Sequence, residues 1–178
     1  MAEAIYTIGH STRPIDEFIA LLRASAIEIV VDVRTVPRSR TNPQYERDAL
    51  RASVAEAGIA YEHLPALGGL RGRSRETPPA QNAFWENESF HNYADYAMTD
   101  AFRDGLRELR EIARGRRTAI MCSEAVWWRC HRRIIADYLL HAGVPVNHIV
   151  GAQRVEPAAM TAAAMPGPNE TLVYPRAS

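Results

Sequence analysis

Five short apolar runs, separated by segments of helical spacing, restrict this chain to a layered α/β fold. The runs are residues 4–9 (AIYTIG), 27–33 (IEIVVDV), 59–64 (IAYEHL), 117–122 (RTAIMC) and 146–150 (VNHIV). Continuous β-branched stretches such as 27–33 suit strands covered on both faces, where neither face meets water. Residues 14–25 set Ile15, Phe18, Ile19 and Leu22 on one helical face, with Thr12 expected as N-cap and Pro14 in the first turn. Further helices are expected at 44–57 (stopped by Gly58), 88–98, 100–114 and 130–142 (closed by Gly143 and Pro145). The alternation predicts a single three-layer, Rossmann-like domain over residues 1–178. Its sheet should be mostly parallel, with five strands, or six if 171–174 (TLVY) adds one. A chain of 178 residues can bury about 70% of its unfolded surface in one core. The stretch after about 156, rich in Ala, Pro and Gly, is expected to be loosely held.

Open parallel sheets bind ligands outside the carboxyl ends of their strands. Those ends carry His10 and Ser11, Asp32 and Arg34, His63 to Gly69, and Cys122 to His131. The most informative segment runs from Cys122 to Arg133 (CSEAVWWRCHRR): a cysteine at a strand end, a loop, arginines and a helix start. Backbone N–H groups at a helix start attract anions and lower the pKa of a nearby thiol. Cys122 is thus the candidate thiolate, Glu124 or His131 its acid/base, and Arg129 and Arg132 anion ligands. Six residues lie between Cys122 and Arg129, one more than in the tyrosine-phosphatase loop, and Val126-Trp127-Trp128 stands where that loop has small residues.

A second reading takes Cys122, Glu124, Cys130 and His131 as ligands of a zinc or iron ion, with His10 or His63 completing the set. Against it, the C-x-E-x5-C-H spacing lacks the tight pairs of structural zinc sites. Neighbouring residues on a helix also point about 100° apart, which would separate Cys130 from His131. Packing alone accounts for other members of the segment. Cys130 lies at core spacing from Ile134 and Tyr138, Trp127 and Trp128 can cap the crevice, and Arg133 and Asp137 are spaced for an i,i+4 pair.

Asp32 and Arg34 admit two roles: a ligand clamp with Asp32 orienting His10 or His131, or a buried ion pair fixing the following loop. Gly68-Gly69 with Arg71, Arg73 and Arg75 reads as a flexible basic loop, able to close over an anion or meet nucleic-acid phosphates, or simply solvated. The 21 basic and 21 acidic residues cancel, so net charge gives no argument for nucleic acid or membrane as partner. All the basic residues are Arg, which excludes lysine chemistry. The clusters Arg34/Arg38/Arg40 and Arg129/Arg132/Arg133 still predict a locally positive crevice. Two cysteines, with no basic-then-apolar leader, point to a cytoplasmic location, and no apolar run reaches the roughly 20 residues of a membrane span.

Four ordered motifs carry a family resemblance: Tyr6-Thr-Ile-Gly-His-Ser-Thr12; Val31-Asp-Val-Arg34 with Pro37 and Ser39; Tyr61-Glu-His-Leu-Pro65 with Leu67-Gly-Gly69; and Met121-Cys-Ser-Glu124 with Cys130-His-Arg132. Over residues 5–155 the chain resembles the domain-of-unknown-function family numbered 488, found in bacteria and archaea. The resemblance implies an α/β fold and a site drawn from these motifs, without an assigned reaction. The order of elements is also similar to rhodanese-like domains, which implies sulfur transfer from Cys122. Those domains have a shorter, glycine-rich loop, and Glu124 would set a negative charge in it.

Three functions follow as expectations. The first is an enzyme acting on a small anionic or nucleotide-like ligand, with Cys122 as nucleophile, Arg34 and Arg132 as clamps and His10 lining the pocket. The second is a metal-dependent enzyme built on the Cys/Glu/Cys/His set. The third is a non-catalytic module binding nucleotide or nucleic acid through its arginine loops.

Overall fold

The computed structural model describes residues 3–177; residues 1, 2 and 178, the ends of the expected domain span, lie outside the described residues. Chain order is β1 (Ile5–Gly9), α1 (Ile15–Ala24), β2 (Ile29–Asp32), α2 (Arg47–Glu56), β3 (Ala60–His63), α3 (Glu88–Tyr96), α4 (Asp100–Ile112), β4 (Thr118–Cys122), α5 (Arg132–His141), β5 (Val146–Gly151), β6 (Arg154–Pro157), β7 (Met165–Pro166) and β8 (Leu172–Val173). Six strands form one sheet in the order β3-β2-β4-β1-β5-β6, parallel except for β6. The layering is the expected three-layer α/β arrangement. The order differs from the doubly wound 3-2-1-4-5-6 because β4 lies between β2 and β1.

Alternation along the strands divides the core. Ile29, Val31, Ile120 and Cys122 face α3, α4 and α5, whose Tyr93, Phe102, Leu109, Ile134 and Ile135 meet them. Val30, Ala119 and Met121 face the other way, onto Phe18, Leu21 and Leu22 of α1 and Leu50 and Val54 of α2. A period of two thus fills both faces of one sheet, and the central strands read as continuous apolar runs for that reason.

Helix starts are set locally. Asn87 accepts the Phe90 N–H at 3.2 Å and caps α3; Thr99 accepts the Phe102 N–H at 3.3 Å and caps α4. The expected cap at Thr12 does not form. Helix α1 begins beyond Pro14 with no side-chain cap, because the chain first turns through Ser11 at φ +48°. The sixth strand of the sheet is β6, a hairpin return from β5, whereas 171–174 contributes β8 to a separate two-stranded ribbon with β7.

The stretch expected to be loose is partly anchored. Leu172 and Tyr174 are buried; Tyr174 Oη donates to Asp137 Oδ2 at 2.8 Å, its N–H donates to Asn82 Oδ1 at 3.0 Å, and its ring meets Trp85. Asp137 is therefore engaged with Tyr174 and with the Thr161 N–H at 2.9 Å instead of pairing with Arg133. Arg133 instead reaches Thr161 Oγ1 at 3.2 Å and lies over the Trp85 ring. Composition concealed this anchor, since two buried residues among many small ones decide it. Tyr174→Ala should lower stability by roughly 3–5 kcal/mol in urea unfolding, the usual cost of removing a buried aromatic.

Candidate functional site

The connections leaving β2 and β4 diverge, one outward to β3 and the other across β1 to β5. A crevice of about 340 Å³ opens beyond these two carboxyl ends, where a parallel sheet puts its ligand site. Its walls are Arg34 to Val36 and Arg38 after β2, Gly69 and Leu70 after β3, Ser89 and Phe90 of α3, and Cys122, Ser123, Glu124, Arg129, Cys130 and His131 around the β4–α5 loop. A wider hollow of about 830 Å³ lies at the opposite edge, along α4 and the end of α5, and contains none of the candidate site residues named from the sequence.

Both cysteines are free and buried. Cys130 precedes α5 in an extended conformation, φ −124° and ψ 149°, so the helical argument that would separate it from His131 does not apply. Its Sγ lies 3.4 Å from His131 Nδ1 and accepts the Arg132 backbone N–H at 3.4 Å. The packing role expected of Cys130 holds, since it joins the buried core cluster, and its side chain also lines the crevice together with Cys122.

Beneath them lies Arg132, the largest fully buried side chain. Its Nε donates to Cys122 Sγ at 3.0 Å, Nη1 to Thr7 Oγ1 at 2.8 Å and Nη2 to the Glu124 carbonyl at 2.8 Å. No carboxylate pairs with it among the described residues. A buried cation without a counter-charge is costly, so this one stabilises negative charge on the sulfurs. Burial opposes ionisation of Cys130, but the neighbouring Cys122 thiol together with the charge and backbone N–H of Arg132 prevail and bring the Cys130 thiol down to about 7. Burial and the charge on Cys130 push Cys122 well up. Within this pair Cys130 is thus shifted down and Cys122 up.

His131 is fixed by its far nitrogen. Nε2–H donates to the Val33 carbonyl at 2.8 Å, which leaves Nδ1 as the acceptor facing Cys130. Enclosure lowers the His131 pKa and keeps the ring neutral. Gly69 packs directly on this ring: an added Cβ would stand 2.6 Å from Nδ1. At Gly9 a Cβ would collide with the Glu124 carbonyl, so the missing side chain is what lets the β4 loop rest on β1.

Several expected ligand groups have other work. Asp32 and Arg34 form a bidentate buried pair, Nε–Oδ1 2.9 Å and Nη2–Oδ2 2.7 Å, and Tyr61 Oη also donates to Asp32. Only the edge of Arg34 reaches the crevice. Its Nη1 lies 3.4 Å from His10 Nε2, and His10 Nδ1 donates to the Ser11 carbonyl at 2.8 Å. Buried against the Tyr45 ring, His10 holds its loop and does not line the pocket. Ser11, Asp32 and Gly68 likewise lie outside the crevice wall, Gly68 pressed on Thr35. Arg132 is beneath the thiols instead of clamping a ligand, and Arg71 is spent on the Gly68 and Pro65 carbonyls and the Tyr96 ring. The guanidinium groups left uncommitted on the wall, among the described residues, are those of Arg38 and Arg129, both exposed. Glu124 presents its side chain at the rim.

Among the described residues no three His, Cys, Asp or Glu side chains converge as a metal site. His131 has its Nε2 on the Val33 carbonyl and its Nδ1 3.4 Å from Cys130 Sγ. Sequence reasoning missed Thr7 and His148. Thr7 Oγ1 lies 2.6 Å from His148 Nδ1 and accepts from Arg132, while Trp127 stacks on His148 with ring centroids 4.6 Å apart. Their signal was a polar residue facing inward within a buried strand.

Burial lowers His10 and His148 from 6.5 to about 4 each. Below pH 6.5 the unfolded chain takes up protons that the native chain refuses, so stability present above that pH is lost as pH falls toward 4. Each histidine should account for roughly 3 kcal/mol of that loss, read as a falling unfolding free energy in urea titrations across this window.

No helix among the described residues is long and apolar enough to cross a membrane. No curated protein and no solved structure matches the chain, and the likeness to rhodanese-like domains finds no match either. The family model that matches covers most of the chain, from the start of α1 into α5, and leaves out the Tyr6–Thr12 motif and β5. On that match, over residues 14–139, the chain belongs to the family described as Domain of unknown function DUF488.

Proposed function

We propose that the protein is a thiol-dependent enzyme that takes a small anionic ligand into the crevice and attacks it with Cys130. The observation that carries this reading is the buried Arg132, bonded to Cys122 Sγ at 3.0 Å and lacking a carboxylate. Its charge favours one thiolate over two thiols, and the α5 N-terminus adds an N–H directed at Cys130. His131 Nδ1 is placed to receive the thiol proton and return it to a leaving group. Arg38 and Arg129 supply the positive wall for an anion, with Ser123 as a further donor. A volume near 340 Å³ suits a small molecule better than a polymer. The exposed Val36 and Leu70 at the rim suit a ligand with an apolar part. A reducing cytoplasmic setting keeps both thiols reduced and available.

Two measurements test the proposal. Alkylation of Cys130 by iodoacetamide should reach half its maximal rate near pH 7, and Arg132→Gln should move that midpoint into the ordinary thiol range of about 8.5 or above. Inorganic phosphate should slow the alkylation, and Arg38→Ala with Arg129→Ala should abolish the protection. A wild-type midpoint near 8.5, with no protection by phosphate, sinks the reading.

A further inference from the structure

Two thiols in one anion-lined crevice can do more than a single nucleophile. We propose that Cys130 and Cys122 form a dithiol couple that reduces small, negatively charged disulfides. The couple rests on the thiolate reading of Cys130 given above and adds to it a role for Cys122 and a substrate class.

The geometry supplies both roles. Both cysteines line the same crevice, and Arg132 bonds to both sulfurs, to Cys130 at 3.4 Å and to Cys122 at 3.0 Å. Cys130 is held by the Arg132 backbone N–H and faces His131, whereas Cys122 receives the Arg132 Nε–H. In the first step the Cys130 thiolate attacks one sulfur of the substrate. A Cys130–substrate disulfide forms, the substrate S–S bond breaks, and one thiolate departs. Cys130 is then neutral, and the negative charge that kept Cys122 protonated is gone. The positive charge of Arg132 now acts on Cys122 alone, so its proton passes to the departed thiolate and the new Cys122 thiolate attacks Cys130. The second substrate thiolate leaves and the Cys122–Cys130 disulfide remains. The chain has lost two electrons and the proton of Cys122, and the substrate disulfide has become one thiol and one thiolate. Attack at one sulfur thereby switches on the other.

Oxidation also removes the thiolate charge beside Arg132, and among the described residues no carboxylate pairs with that cation. The reduced pair is favoured, and the protein disulfide should be readily reduced by a second thiol, as turnover requires. Arg38 and Arg129 restrict the substrate to disulfides carrying carboxylates or similar anionic groups.

Oxidised glutathione, an anionic disulfide, is a direct probe, read by mass spectrometry of the intact full-length chain. Wild type should lose two hydrogens, form a Cys122–Cys130 disulfide and carry no glutathione. Cys122→Ser should instead trap glutathione on Cys130, and Cys130→Ser should react at least tenfold more slowly than either. Cys122→Ala repeats the trapping without the serine hydroxyl. Wild type that accumulates a stable Cys130–glutathione adduct, or a Cys122→Ser variant that captures none, overturns the dithiol couple. Iodoacetamide titration on the same samples separates the two ideas. A midpoint near 7 with no intramolecular disulfide leaves the thiolate reading standing and removes the couple, whereas a midpoint near 8.5 removes both.

Discussion

A guanidinium buried against two sulfurs governs this molecule. Arg132 sits at the first turn of α5, reaches back to β1 through Thr7, to β4 through Cys122 and to the crossing loop through Glu124. Three elements are tied by one side chain whose charge meets no carboxylate. Hydrophobic clusters hold both faces of the sheet, but they do not explain why a cation is buried here. The sulfurs do. A site whose charge balance is built into the core depends little on salt, because buried pairs are screened far less than exposed ones.

Most of the architecture was legible from sequence spacing. The runs 27–33 and 117–122 became β2 and β4 because buried parallel strands need no polar face, and the crossover helices follow their apolar stripes. Strand order was not legible. Placing β4 between β2 and β1 depends on which sheet faces close over which helices, and no local pattern records that choice. The anchoring of Tyr174 was hidden for a similar reason, since its partners Asn82 and Asp137 are distant in sequence.

The candidate site was legible as a region, and the side-chain geometry within it was not. Motifs at strand ends located the crevice, and the segment from Cys122 to Arg133 does line much of it. Individual roles shifted because backbone conformation, invisible in the sequence, decides which way a side chain points. Cys130 was placed on the helix and assigned to packing; it does pack in the core, but its extended φ and ψ set it just before α5, where it also lines the crevice. Arg34 and Arg132 were taken as clamps by residue type, yet one is neutralised by Asp32 and the other lies under the thiols. What remains for a ligand are Arg129, singled out by its spacing from Cys122, and Arg38, which fell within an arginine cluster but had no distinguishing signal of its own.

The empty Cβ position of Gly9 has a consequence for the order in which the protein matures. The loop after β4 can settle on β1 only once these strands pair, and their paired residues, Gly9 and Cys122 among them, stand far apart along the chain. Such a long-range closure is slow compared with local helix formation. A chain emerging from the ribosome therefore exposes Cys122 and Cys130 as ordinary thiols until Arg132 has been made and α5 has docked. The Arg132 contacts to both sulfurs are therefore completed only at the last stage of assembly.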